Sequence, residues 1–182
     1  MFSGPDGKLH VYFFDVGQGD SALIVTPEGK QILVDGGPGY RSATAALSKR
    51  LPRGGRSLDM VVLTHLGPDH SRGLLEVLYR YNVGSVLFGL EDTKGVMCPL
   101  WRSMMDGETA VEILAQAGQQ VIIEPGVKLQ VLNSPEQSAG GLVHDPNNDG
   151  VVLKLTYGEF SFLLTADIES PAENQLVRSG PA

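Results

Sequence analysis

Residues 60–64, Met-Val-Val-Leu-Thr, form a short run that is wholly apolar until its last residue. Such a strand is buried on both faces, so it belongs inside a covered sheet. The chain then leaves it through His-Leu-Gly-Pro-Asp-His-Ser toward a helix. Further strands are expected over 9–14, 22–26, 31–34, 85–88, 121–123, 128–132, 151–157 and 160–165, from runs rich in β-branched and aromatic residues. Turn residues at 27–30 and 158–159 join two pairs of these as hairpins. Apolar spacing predicts helices over 40–51, 71–81, 108–117 and 171–177, with Ser71 as the N-cap of the second. Hairpins mixed with single helices make an α/β (α+β) chain with mixed sheets and helices packed outside. Residues 91–106 show no regular period. Their Met97, Cys98, Trp101, Met104 and Met105 suit core packing, or a loop covering something. At about 150 residues per domain, 182 residues make one domain over 1–182, with 1–7 as a linker.

Several function classes are disfavoured at once. Fourteen basic residues stand against 21 acidic ones, a net charge of −7. A polyanion is therefore repelled except at a local basic patch or a metal. The single cysteine, Cys98, excludes an intrachain disulfide and any cysteine-rich zinc knuckle. No apolar run approaches the roughly 18 residues of a membrane span. The first seven residues lack the basic and apolar regions of a signal peptide.

Polar residues follow the apolar strands. Asp35 comes after 31–34, His65 after 60–64, and Asp167 two residues after 160–165. Strand ends hold side chains rigidly enough for metal ligation. The segment 64–71 adds Asp69 and His70, on a loop that would turn both toward one point. An isolated histidine is more often a hydrogen-bonded core residue, and Asp69 also suits a helix cap. The clustering favours a metal, and imidazole with carboxylate suits zinc, manganese or iron(II). Residues 41–56 carry Arg41, Lys49, Arg50, Arg53 and Arg56 with no acidic residue. They read equally as a nucleic-acid phosphate contact or as a solvated helix and loop. His10 and His144 read as surface residues, although His144 is also a candidate replacement ligand.

Phe-Asp-Val-Gly-Gln-Gly-Asp-Ser at 14–21, Leu-Val-Asp-Gly-Gly at 33–37, and Leu-Thr-His at 63–65 through Asp69-His70 resemble the metallo-β-lactamase superfamily. More narrowly, they resemble the C-terminal domain of the ComEC family of bacterial DNA-uptake competence proteins. Residues 147–155 and 162–169 extend the likeness. The resemblance implies a four-layer αβ/βα sandwich of two mixed sheets with helices outside. It implies metal ligands at His65, Asp69, His70 and Asp167. Asp69 would also orient the attacking water, and Asp35 would hydrogen-bond a ligand or the Gly36-Gly37 backbone. The chemistry implied is metal-assisted hydrolysis of a nucleic-acid phosphodiester.

Departures from the family pattern shape the expectations. Gly67 stands where the family has the second histidine of His-x-His-x-Asp-His, Ala166 where it has glycine, and Gly150 where it has serine. The family continues into a further strand and a histidine-bearing loop, so a C-terminally truncated domain is expected. At most one divalent transition metal, zinc or manganese, is expected, through Asp69, His70 and Asp167. Isolated, the chain should be a poor nuclease, and its last sheet edge should self-associate as a dimer. The expected partners are DNA and a membrane channel in the same parent chain, with the domain itself soluble beside the bacterial membrane. The competing reading is an inactive fold kept as a structural or DNA-binding module.

Overall fold

The computed structural model describes residues 4–51, 55–89, 97–107, 109–134 and 147–179. Arg53, His144 and residues 91–96 lie outside the described residues. Among the described residues, ten strands form two sheets. The first has the order β1 (His10–Phe13), β2 (Ala22–Val25), β3 (Gln31–Val34), β4 (Ser57–Leu63), β5 (Asn82–Phe88), β6 (Val111–Leu114). The second has the order β10 (Phe160–Leu164), β9 (Val152–Tyr157), β8 (Val127–Asn133), β7 (Gln120–Glu124). The hairpin strands β1, β2 and β3 pair antiparallel, whereas β3, β4, β5 and β6 run parallel.

Strand alternation builds two cores from one sheet. Leu23, Leu33, Val61 and Leu63 point to helices α1 (Ser42–Arg50), α2 (Pro68–Arg80) and α3 (Cys98–Met105). Ile24, Ile32, Met60 and Val62 point the other way, onto Leu129, Val131, Leu153 and Leu155 of the second sheet. This is why residues 60–63 are apolar throughout: that part of β4 is covered on both faces. Helix α4 (Ser170–Ser179) contacts β8 and buries Ala172. Helices, two sheets and a last helix make a mixed α/β sandwich, as the patterning predicts.

Three local expectations are corrected. The helix expected over 108–117 is strand β6, which pairs with β5. Its Val111, Leu114 and Ala115 fit helical spacing, but four residues along an open parallel edge gain backbone bonds there. The irregular 91–106 segment contains α3, with Cys98, Trp101 and Met105 buried at helical spacing. The core reading of that segment holds for these residues. Helix α2 starts at Pro68 behind the N-cap Gly67, not at Ser71. Asp69 and His70 therefore sit in a first helical turn rather than a loop, and Ser71 Oγ donates to Gly67 O instead of capping.

Candidate metal centre

The site is assembled where β3 and β4 end. Asp35 follows β3 with φ 57°, a left-handed conformation that aspartate tolerates. Its carboxylate is 1% exposed and fully engaged. Oδ1 accepts from Thr64 N at 2.9 Å, and Oδ2 accepts from Thr64 Oγ1 at 2.7 Å and His70 Nδ1 at 2.8 Å. The next residue, Gly36, donates from its N–H to His70 O at 2.7 Å. Gly73 of α2 lies so close that a Cβ on it would stand 1.9 Å from Gly36 O. The two glycines let loop and helix touch backbone to backbone, which fixes His70 over Asp35.

Each histidine is left with one ring nitrogen for ligation. Thr64 Oγ1 gives its single proton to Asp35, so His65 Nδ1 donates to that oxygen at 3.2 Å and Nε2 keeps its lone pair. Burial, and then the neighbouring His70 charge, holds the His65 imidazole below its usual value, which favours a neutral ring. His70 is different. Burial pulls its ring down, but the Asp35 hydrogen bond and the charges of Asp35, Asp167 and Asp69 outweigh that and push it up to about 9. Its Nε2 is buried without a hydrogen-bond partner, although Asp167 Oδ2 is 3.3 Å away. That distance suits charge attraction but not a directed hydrogen bond.

Ligand atoms of His65, His70 and Asp167 all lie within 4.8 Å of one another. The His and carboxylate donors of one tetrahedral zinc, each about 2.0–2.1 Å from it, stand about 3.3 Å apart. The 3.3 Å His70–Asp167 spacing matches. An orphaned buried nitrogen, a neutral second imidazole and a carboxylate form a donor set that fits a divalent transition metal. The Asp167 side chain remains 40% exposed, so the set is open to solvent on that side. The loop bearing Asp167 is braced from below. Asn148 Oδ1 accepts from the N–H groups of Glu169 and Ala172, and Asn133 Nδ2 donates to the carbonyls of Asn148 and Gly150.

The sequence reading placed Asp69 with His70 and Asp167. The converging set instead has His65 in that place. Asp69 lies beside it, close enough that its charge acts on both histidines. Two contributors escaped the sequence reading. Thr64 was seen only as a strand end, yet its hydroxyl links Asp35 to His65. Asp20 was left unplaced. Burial raises its carboxyl, and His70, Asp35, Asp167 and His65 all act on it. A Cβ on the preceding Gly19 would stand 2.1 Å from Asp69 O, so the 15–20 turn lies against the start of α2.

Of the basic stretch, Arg56 stands at the far end of β4 from the site. Arg56 precedes the seven-residue β4 and His65 lies two residues past its end, so the strand between them alone spans about 20 Å at 3.3 Å per residue. Arg50 stacks over the Tyr12 ring at 4.8 Å. Arg41 and Arg56 line a cleft with Arg80 and Glu76, and Arg80 is ion-paired to Glu76 at 2.6 Å. Lys49 closes the last turn of α1.

The sequence model of the metallo-beta-lactamase superfamily matches residues 14–181. The chain is similar to a Cronobacter sakazakii metallo-beta-lactamase with a HARLDQ motif, at 18% identity and TM-score 0.58, covering 89% of this chain and 57% of that one. It is similar to CmlA, a diiron beta-hydroxylase from Streptomyces venezuelae, at 20% identity and TM-score 0.59, covering 98% and 34%. The metallo-beta-lactamase fold protein YhfI of Bacillus subtilis gives 16% identity and TM-score 0.60, covering 87% and 62%. These likenesses are of fold. A stretch of 69 residues is also 42% identical to rat microtubule-associated protein 1A, covering 38% of this chain and 2% of that protein. The chain thus spans under two thirds of the length of each.

Proposed function

The chain belongs to the metallo-beta-lactamase superfamily, and on that premise we propose that it is the metal-dependent hydrolase domain of a ComEC-type DNA-uptake protein, acting on a nucleic-acid phosphodiester. The observation that carries the hydrolase reading is the convergence of His65, His70 and Asp167, with His70 Nε2 buried and without a hydrogen bond. The Asp-Val-Gly-Gln-Gly-Asp-Ser turn at 15–21 supports the DNA-uptake branch through its sequence resemblance, and its Asp20 feels the charges of the site. When bound there, a divalent cation supplies Lewis acidity and brings the pKa of a water toward about 7.

The chain's own residues do the rest. Asp35 holds the Nδ1 proton of His70 and so fixes which nitrogen faces the site. Thr64 does the same for His65. Asp69, beside both histidines, orients the attacking water. Asp20 sits on the turn that lies against the start of α2, among the charges of His70, Asp35, Asp167 and His65. Arg41, Lys49, Arg50, Arg53 and Arg56 would meet DNA phosphates away from the reacting bond, with a membrane channel of the parent protein delivering the strand.

A second reading is favoured by Gly67 and by the 42% identity to microtubule-associated protein 1A over 69 residues. There the fold is kept as a binding module without turnover. One assay separates the two. The purified chain is incubated with bis(p-nitrophenyl) phosphate and with single- and double-stranded DNA, with and without Mn²⁺ or Zn²⁺. Slow metal-dependent diester cleavage, abolished in Asp167→Ala, is expected. DNA binding without cleavage supports the module, and neither activity sinks the DNA-uptake reading.

A further inference from the structure

Three arginines from three elements share one cleft. Arg41 stands before α1, Arg56 before β4, and Arg80 in the last turn of α2. With Thr44, Glu76 and Tyr81 they line a space of about 200 Å³. Glu76 is already committed: its Oε1 accepts from Arg80 Nε at 2.6 Å and its Oε2 from Thr44 Oγ1 at 3.4 Å. That pairing uses the Nε proton of Arg80 and leaves its four terminal N–H groups. Among the described residues, no carboxylate pairs with Arg41 or Arg56. Tyr81 is only 9% exposed, lines the same cleft, and finds no hydrogen-bond partner for its hydroxyl among the described residues. Burial raises that hydroxyl, and the charges of Arg56 and then Arg80 pull it back down, so both guanidiniums act on it.

Three guanidiniums against one carboxylate leave a local charge of +2 in a chain of net −7. Like charges sharing a cleft repel, and an anion between them turns that repulsion into attraction. Arginine's planar fork matches the oxygens of a phosphate in pairs. A phosphodiester carries one negative charge per phosphate, whereas a monoester carries about 1.5 to 2 at pH 7. The local balance matches the monoester. We infer that this cleft binds a dianionic phosphate group, carried on the end of a nucleic-acid strand or free as inorganic phosphate. Arg41 and Arg56 supply open forks, Arg80 supplies the terminal nitrogens that Glu76 leaves it, and Tyr81 supplies a hydroxyl. The cleft lies at the far end of β4 from the histidine cluster, so it stands apart from the hydrolase reading and does not need a metal. Lys49 belongs to the same basic stretch but does not line the cleft.

Titration calorimetry on the whole chain tests this, in chelator and at ionic strength fixed with sodium chloride. The probes are inorganic phosphate and one short oligonucleotide ending in either a phosphate or a hydroxyl. Saturable one-site binding of inorganic phosphate is expected. Arg56→Gln should weaken it about 10–100-fold and Tyr81→Phe about 3–10-fold. Both variants should melt within about 2 °C of the parent, since Arg56 has no partner to lose and phenylalanine keeps the buried ring. Lys49→Gln removes the same charge outside the cleft and should change affinity less than about 2-fold. A terminal phosphate that tightens oligonucleotide binding, and loses that advantage in Arg56→Gln, identifies a strand end as the ligand. Oligonucleotides that leave phosphate binding undisturbed identify the free ion. The inference is overturned by phosphate that does not saturate, or by Lys49→Gln weakening it as much as Arg56→Gln, which would mean diffuse charge. It is also overturned if the hydroxyl-ended strand displaces phosphate as well as the phosphate-ended one, which would make the cleft a diester groove. The chelator keeps each of these results separate from the fate of the metal centre.

Discussion

Asp35 accepts three hydrogen bonds while nearly sealed from water. Changing it to asparagine keeps the shape but removes the charge that faces His70. Metal affinity should fall about 10–100-fold in Asp35→Asn, measured by competition with a coloured chelator. The same pair sets a pH signature. The folded His70 value of about 9 lies above the unfolded value of 6.5. A raised histidine stabilises the fold fully below pH 6.5 and ceases to do so as pH rises through about 9. Urea midpoints of metal-free protein should therefore decline over that window, with a flatter profile in Asp35→Asn. It also follows that His70 carries a proton at pH 7 until metal displaces it. Metal binding should release about one proton, read as a dependence of the calorimetric heat on the buffer's ionisation enthalpy. Ala166, next to Asp167, holds φ 49°. Left-handed backbone costs a residue with a Cβ about 1–2 kcal/mol, partly offset by the flexibility of unfolded glycine. Ala166→Gly should gain about 1 kcal/mol of stability in a denaturant titration.

At the level of elements, the site depends on how α2 docks onto the loop after β3. Gly73 and Gly36 are in backbone contact, and the Gly73 N–H donates to Gly37 O at 3.1 Å. A methyl at 73 must push helix and loop apart. Gly73→Ala should cost about 2–3 kcal/mol and take His70 away from Asp35, so that metal is lost with stability. Trp101→Ala provides the contrast. Trp101 is fully buried in the core beneath α3, remote in sequence from every ligand. Its removal should cost about 3–5 kcal/mol, while the protein that remains folded binds metal with the parent's stoichiometry.

Across the whole molecule, the two ends of β4 carry different groups. The histidine cluster lies at the ends of β3 and β4, and Arg56 lies before the start of β4. No helix among the described residues is long and apolar enough to cross a membrane. The outermost strands β1 and β10 bring Phe13 and Phe162 to 5.7 Å, with Phe160 79% exposed and Leu163 50% exposed. An open apolar strand edge recruits another chain. Self-association rising with concentration is the expected result in sedimentation. The double variant Phe160→Lys, Leu163→Lys should run as a monomer near 19.4 kDa. A parent chain that is monomeric at every concentration would refute this.

By itself the sequence determined β2, β3 and β4, because they are apolar at every position that is buried, and it placed polar residues directly after them. It also singled out Asp35, His65 and Asp167 by their places after apolar runs, and Asp69 and His70 by their clustering with His65. The 108–117 segment was misleading because Val111, Leu114 and Ala115 fit helical spacing, and only the free edge of β5 selects a strand. The 98–105 helix carried its signal in Cys98, Trp101 and Met105, three positions over only two turns within a segment of no regular period. Tertiary structure alone decided the grouping of the ligands. Asp69 and His70 are adjacent in sequence, yet the first turn of α2 directs His70 into the converging set and leaves Asp69 beside it. Arg41, Arg56 and Arg80 likewise stand far apart in sequence and share a cleft only once α1, β4 and α2 are packed together, because sequence records which side chains are present and not which of them the packing brings to one place.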